Sequence, residues 1–318
     1  MRFLVIGDIH LSDRAPSSCT DSYQEDMFAL LEATVDKSNE LACDGVLWAG
    51  DIFHHKQPSR TSHKTVQRTI EIAKAYPRLG IVPGNHDMLN DRYESIETTQ
   101  PLGVLQKAGI PLLTGWGQDW MVDYPIYGVP WQQEWSQEAL SAALSDWQHI
   151  GEPEALQGAL VVTHAPLYPP GRELEYEYFP TETWAEIQGA GFCYYGHVHE
   201  HHGTYQVGDV TFCNQGALSR GSLHESELKR EIAATLWTEH GFERVDLPHK
   251  PATEVFRLSE KRELQDAQAR LDEFLASIGE TKVAVTSIES VMSHIRTLKL
   301  EPEVEALAEE LLTGAHHD

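Results

Sequence analysis

Basic residues are scarce in this chain of 318 residues: 24 Lys and Arg stand against 49 Asp and Glu, for a formal charge of −25 at neutral pH. That balance excludes a protein that holds nucleic acid by phosphate neutralisation alone. Cysteine is sparse as well. Four thiols (Cys19, Cys43, Cys193 and Cys213) in so long a chain give neither a disulfide framework nor the paired spacing of a zinc knuckle, so they read as reduced, mostly buried groups. Long apolar runs are missing too. The start, MRFLVIGD, meets a charge after four apolar residues, which fits neither a signal peptide nor a membrane span, and nothing downstream approaches the roughly 18 residues a span requires. An intracellular, cytoplasmic protein with no membrane partner is the expectation. With 41% hydrophobic and 23% charged residues, what remains is an ordinary globular composition, ample for a large core and a small second domain.

Short apolar runs alternate with helical patterns over the first 160 residues or so, the mark of an α/β layered fold. The pattern predicts strands at Phe3 to Ile6, Gly45 to Ala49 and Leu79 to Val82, with further ones over 159–163 and 191–195. It predicts helices at Ser22 to Cys43, where Met27, Leu30, Leu31, Thr34 and Val35 share one face, and at Pro58 to Tyr76. Beyond His199, four closely spaced short strands from Gly203 to Leu247 read as an antiparallel meander. Pro248 to Pro251 reads as a boundary between residues 1–248 and a small α+β unit over 249–318. The last segment of that unit, Pro302 to Leu312, sets Val304, Leu307 and Leu311 on one face against Glu on the other, either packing on its own domain or docking a partner.

Each early strand ends in a polar cluster: Asp8-Ile-His10, Gly50-Asp51 with His54, Gly84-Asn85-His86-Asp87, Thr163-His164 and Gly196-His197-Val-His199. In layered α/β folds ligands bind beyond the carboxyl ends of strands, so five such clusters predict one shared site. Carboxylates, an amide oxygen and imidazoles together suit manganese, iron or zinc better than calcium. In an extended strand end, residues two apart point the same way, which pairs Asp8 with His10 and His197 with His199. The glycines at 7, 50, 84 and 196 are expected to let the backbone turn where each strand stops. One such cluster is weak evidence for a metal; five in this order are strong.

The set, over residues 1 to 220, resembles the calcineurin-like metallophosphoesterases. That resemblance implies a four-layer α/β/β/α sandwich with a small cap-like C-terminal unit. It implies two divalent ions, manganese first, with iron, zinc or magnesium as alternatives. Asp8, His10 and His199 would hold one ion and Asn85, His164 and His197 the other, with Asp51 between them. His86 is left as the group that donates a proton to the leaving oxygen; Asp87 either orients it or serves its turn, and His54 or its neighbour His55 is a second catalytic candidate. The runs from Gly50 to Arg60 and from Asn214 to Arg220 further resemble the SbcD-type DNA repair nucleases, although Asn214-Gln-Gly-Ala replaces the usual Pro-Gly-Ser. Such nucleases work on DNA with an SbcC-like coiled-coil ATPase, and larger members often form homodimers through helices near the N-terminal half. Arg60 and Arg220 would then contact substrate phosphates, or else pair with acidic neighbours. Trp116, Trp120, Trp131 and Trp135 would stack bases or, more simply, pack. Two other functions share the pattern: a phosphodiesterase or phosphatase for small molecules or nucleotides, and a non-cutting scaffold for an ATPase. A scaffold would tolerate lost ligands, and every ligand position is filled. Two divalent ions outweigh Asp8 and Asp51, so the centre would be locally positive despite the acidic chain. The overall acidity assigns most of the DNA grip to a basic partner.

Overall fold

A computed structural model describes residues 1–115, 125–145, 157–171, 178–221, 225–258 and 295–296. The strands are, in chain order, β1 (Phe3–Ile6), β2 (Gly45–Ala49), β3 (Leu79–Val82), β4 (Ile126–Val129), β5 (Leu160–Thr163) and β6 (Leu167–Tyr168). They continue with β7 (Phe179–Pro180), β8 (Ala190–Tyr195), β9 (Gly203–Val207), β10 (Asp209–Asn214), β11 (Ala233–Thr238) and β12 (Gly241–Asp246). Two five-stranded sheets result, ordered β12-β11-β1-β2-β3 and β4-β5-β8-β10-β9, with β6 and β7 forming a small separate pair. The neighbours β1, β2 and β3 are parallel, as are β4, β5, β8 and β10.

Three apolar layers explain why the central strands read as unbroken hydrophobic runs. Side chains alternate along a strand, and here both faces are covered. In β1, Leu4 and Ile6 join Met27, Phe28 and Leu31 of helix α1 (Tyr23–Glu40), whereas Phe3 and Val5 face the other sheet beside Leu160, Val162 and Tyr194. In the second sheet, Val161, Cys193 and Tyr195 turn outward onto Leu140 and Trp184 of the helices Gln137–Ala143 and Thr181–Gln188. Helix, sheet, sheet, helix is therefore the layer order. All four cysteines are buried free thiols.

Three expectations from the sequence need correction. The meander beyond His199 is divided between the sheets: β9 and β10 extend the second, with β10 parallel to β8, while β11 and β12 add to the first beside β1. Local hairpin patterning cannot reveal which sheet edge is open. The helix expected from Pro58 to Tyr76 is broken. A single turn at Pro58–Arg60 gives way to extended Thr61 and Ser62 before α2 (His63–Ala73) begins. Asp13, far away in sequence, accepts from the Ser62 backbone N–H and hydroxyl and so fixes the start of α2. Finally, the strand expected near Thr253 is a helical turn, Ala252–Val255, followed by a bridge from Phe256 to Cys19. That bridge ties the stretch to the first compact unit, Met1–Leu258. The second unit, Ser259–Asp318, which includes the Pro302 to Leu312 segment, lies outside the described residues save 295–296, as do Trp116 and Trp120. No helix among the described residues is long and apolar enough to cross a membrane.

Candidate metal centre

Beyond their last ladder pairs, β1 and β2 remain linked: the N–H groups of Asp8, His10 and Leu11 donate to the carbonyls of Gly50, Asp51 and Ile52 at 2.9–3.1 Å. This shared rail places Asp8, His10 and Asp51 side by side. From the other sheet, His164 follows β5 and His197 follows β8, and the His197 N–H donates to both Asp8 carboxylate oxygens at 3.0 and 3.1 Å. The pairing of Asp8 with His10 does not come from extended alternation. Asp8, His10, Asp51 and His197 all sit at positive φ (+53°, +50°, +53° and +74°), where side chains swing toward one point at a cost of about 1–2 kcal/mol each. The two-stranded rail holds them there.

The glycines act by absence of bulk more than by turning, since among those four positions only Gly50 has positive φ (+89°). A Cβ at Gly84 would lie 2.3 Å from Asp51 Oδ1, one at Gly196 2.3 Å from the Ala49 carbonyl, and one at Gly50 2.2 Å from His164 Nδ1. Gly50→Ala is therefore expected to cost about 1–3 kcal/mol of stability and to dislodge His164. Thermal denaturation combined with metal content by elemental analysis measures both.

Two groups of donor atoms converge. In one, His10 Nε2 and His199 Nε2 are 3.0 Å apart, with Asp8 Oδ1 3.5 Å from His199. In the other, Asn85 Oδ1 lies 3.2 Å from both His164 Nε2 and His197 Nδ1. Asp51 Oδ2 stands between them, 3.6 Å from His10 Nε2 and 3.3 Å from His164 Nε2. Asp8, His10, Asp51 and His164 form a buried floor, while Asn85, His197 and the half-exposed His199 form the rim. Two imidazole nitrogens facing each other at hydrogen-bond distance beside two carboxylates suit a cation between them, so this donor set fits divalent metals.

Burial opposes charge on His164, yet Asp51, Asp8 and the Ala49 carbonyl outweigh it and push the imidazole up to about 9. Burial likewise opposes ionisation of Asp51, but His164 and His10 hold its carboxyl well below the ordinary carboxylate range. Without metal, the pair is an ion pair. The His164 Nδ1–H donates to the Ala49 carbonyl at 2.7 Å, leaving Nε2 as the nitrogen that could hold a cation, which would have to displace its proton. Metal uptake at neutral pH is thus expected to release a proton and to tighten as pH rises toward about 9. Calorimetric titration in buffers of different ionisation enthalpy reads that proton directly. By contrast, burial lowers His197 and His54, each to about 4, so both rings enter the site neutral.

His86 sits at the mouth. Its ring is edge-on to His10 at 4.9 Å and stacked on His54 at 5.8 Å, and its Nδ1–H donates to the His54 carbonyl at 2.5 Å, which leaves Nε2 for exchange. Asp87 turns to the backbone and not to the His86 ring. It accepts from the backbone N–H groups of Gly84, Ile52 and Phe53 and braces the two ligand turns against each other; burial and the Asp51 charge push its carboxyl up to about 7. Of the two histidines after Asp51, His54 meets the His10 and His86 rings, while His55 faces Ser12. Arg60 lies near the site, lining a cleft with His54 and His55. Arg220 is buried, and its guanidinium donates to the carbonyls of Lys250 and Arg230, tying the 217–220 loop to the chain beyond β10. Trp131 packs over the His197 ring at 4.7 Å and Trp135 packs against Trp131, so both serve the wall of the site. Sequence reading missed that the Trp131 ring backs His197, since it is placed by the Trp131 backbone N–H donating to the Pro83 carbonyl, a contact with no sequence signature. It also missed Tyr23, whose hydroxyl donates to the His10 carbonyl from the first turn of α1.

The signature of the calcineurin-like phosphoesterases matches residues 1–201. The chain belongs to that family. Its members are metal-dependent phosphoester hydrolases, in keeping with the donor clusters around Asp8, His10 and Asp51. The chain is 24% identical to a DNA double-strand break repair protein, Mre11 of Methanosarcina mazei, over an alignment that takes in all of this chain and 52% of that protein. It thus spans about half the length of this curated relative. Among solved structures, a dimetal phosphatase from Danio rerio shares 12% identity over 78% of this chain and 99% of its own, with a TM-score of 0.43. The phosphoesterase YfcE of E. coli shares 14% over 74% and 87%, with a TM-score of 0.36.

Proposed function

We propose that this calcineurin-like phosphoesterase is a two-metal DNA nuclease subunit, using manganese and acting with an SbcC-like coiled-coil ATPase in repair or recombination. The observation that carries the reading is the convergence of seven donor residues from five strand ends on one open-mouthed floor, with two further histidines, His54 and His86, facing it. Likeness along the whole chain to a DNA break repair protein directs the choice of substrate. Asp8, His10 and His199 would hold one ion and Asn85, His164 and His197 the other, shared through Asp51. When bound, the pair supplies Lewis-acid polarisation of the phosphodiester and an activated water.

The chain's own residues do the rest. The open rim admits a phosphodiester to the floor. His86 donates from Nε2 to the leaving oxygen, and its Nδ1–H bond to the His54 carbonyl aims the ring. The neutral His54 ring stacked on it screens that proton from water. The surplus of acidic side chains elsewhere makes the grip of this chain on DNA weak and salt-sensitive, which is the reason to expect a basic ATPase partner. The test incubates purified protein and Mn²⁺ with labelled single-stranded, double-stranded and hairpin DNA, alongside cyclic nucleotides and bis(p-nitrophenyl) phosphate. Cleavage of DNA supports the reading. Turnover of small phosphodiesters with no DNA cleavage, with or without an ATPase partner, overturns it in favour of a nucleotide phosphodiesterase.

A further inference from the structure

A cleft of about 460 Å³ opens beside His54, lined by Asp13, Arg14, His54, His55, Arg60 and Ser62. Its charge runs against the rest of the molecule. The chain carries twice as many acidic as basic residues, and exposed cations elsewhere are paired, as Lys250 is with Asp26 and Arg244 with Asp246. Arg14 and Arg60 are exposed, and neither guanidinium has a carboxylate partner among the described residues. The one acid in the cleft is already engaged: Asp13 accepts from Gln24 at 3.1 Å, from the Ser62 hydroxyl at 2.7 Å, from the Ser62 N–H and from the Thr65 hydroxyl. Those bonds anchor the loop that carries Arg14 to the start of α2, so the two arginines face one cleft on a fixed frame. The local field is felt by His55, whose imidazole burial lowers first, with the Arg60 charge reinforcing the shift and Arg14 adding to it.

We infer that Arg14 and Arg60 form a subsite for the phosphate next to the scissile one, so that the enzyme selects a chain of at least two phosphodiesters over a single one. The inference rests on the nuclease reading above and adds to it the substrate class and a residue, Arg14, that the sequence did not point to. Two guanidiniums with no carboxylate partner among the described residues present forked donors matched to phosphate oxygens. The cleft meets the metal floor at His54, whose ring touches both His10 and His86, so a bound strand crosses from one to the other without leaving the surface.

The test compares thymidine trinucleotide, with two phosphodiesters, with thymidine dinucleotide, with one, in wild type and in Arg14→Ala, Arg60→Ala and the double variant. Bis(p-nitrophenyl) phosphate serves as the common reference for folding and metal loading. In the wild type, kcat/KM for the trinucleotide should exceed that for the dinucleotide by about tenfold to a hundredfold, the range a charge-assisted contact supports. The double variant should lose that ratio, Arg→Lys at both positions should restore part of it, and the salt dependence of binding to longer DNA should flatten by about one unit of slope per arginine. A wild type without the preference, or variants that keep it, overturns the inference while DNA cleavage still stands. A wild type that cuts bis(p-nitrophenyl) phosphate and no nucleotide chain overturns the nuclease reading itself.

Discussion

Asp51→Ala is expected to empty the site of both ions and lower turnover at least about a thousandfold, the scale of the several kcal/mol that ion polarisation contributes at a phosphoryl group. The size of the effect follows from position. Asp51 Oδ2 lies within 3.6 Å of a nitrogen from each donor group, His10 Nε2 in one and His164 Nε2 in the other. Its second oxygen accepts from the His86 backbone N–H at 2.8 Å, and the alanine variant orphans that donor and leaves His164 without the carboxylate that keeps it charged. Asp51→Asn separates these roles. It keeps an acceptor for His86 and removes the anion, so it should lose metal and activity with the smaller loss of thermal stability. Elemental analysis, turnover of bis(p-nitrophenyl) phosphate and thermal denaturation on both variants decide the matter. Full metal content in Asp51→Ala would remove Asp51 from its shared position.

His86→Ala should do the opposite: keep the metal and lose the chemistry. The ring packs edge-on against His10 at 4.9 Å without being one of the seven donors, and the Asn85 amide oxygen is held in place by its own contacts to His164 and His197. A general acid at this position is worth about 10²–10⁴ in kcat. That loss should be largest for DNA, whose alkoxide leaving group needs a proton. It should be much smaller for bis(p-nitrophenyl) phosphate, whose p-nitrophenolate leaves without one. An equal loss on both substrates would assign His86 to transition-state charge stabilisation and not to proton donation, and a metal-free variant would contradict its placement outside the donor groups.

The two variants probe features that were legible to different degrees. Strand ends were readable because buried strands force apolar runs and the polar residues that follow must lie at the sheet's edge, which marked Asp8, Asp51, Asn85, His164 and His197 together. Helix faces were readable because α1 repeats its apolar positions: Met27, Leu30, Leu31 and Thr34 are buried as their spacing predicts. The break at Thr61 was not readable, since the bonds that cause it come from Asp13 some fifty residues earlier. Nor was the fate of Arg220, whose partners are backbone carbonyls with no sequence signature.

The sequence by itself determined the layered α/β class, the family-like order of donors and the acidic surface, because burial pattern and residue chemistry are local properties. Only the tertiary structure decided how the donors meet. Left-handed backbone at Asp8, His10, Asp51 and His197, room left by Gly84 and Gly196, and the rail between β1 and β2 are set by chain segments far apart in sequence. It also buried Arg220 among carbonyls and left Arg14 and Arg60 at the cleft beside His54. A side chain's chemistry is written in its residue type, but its direction depends on the fold around it.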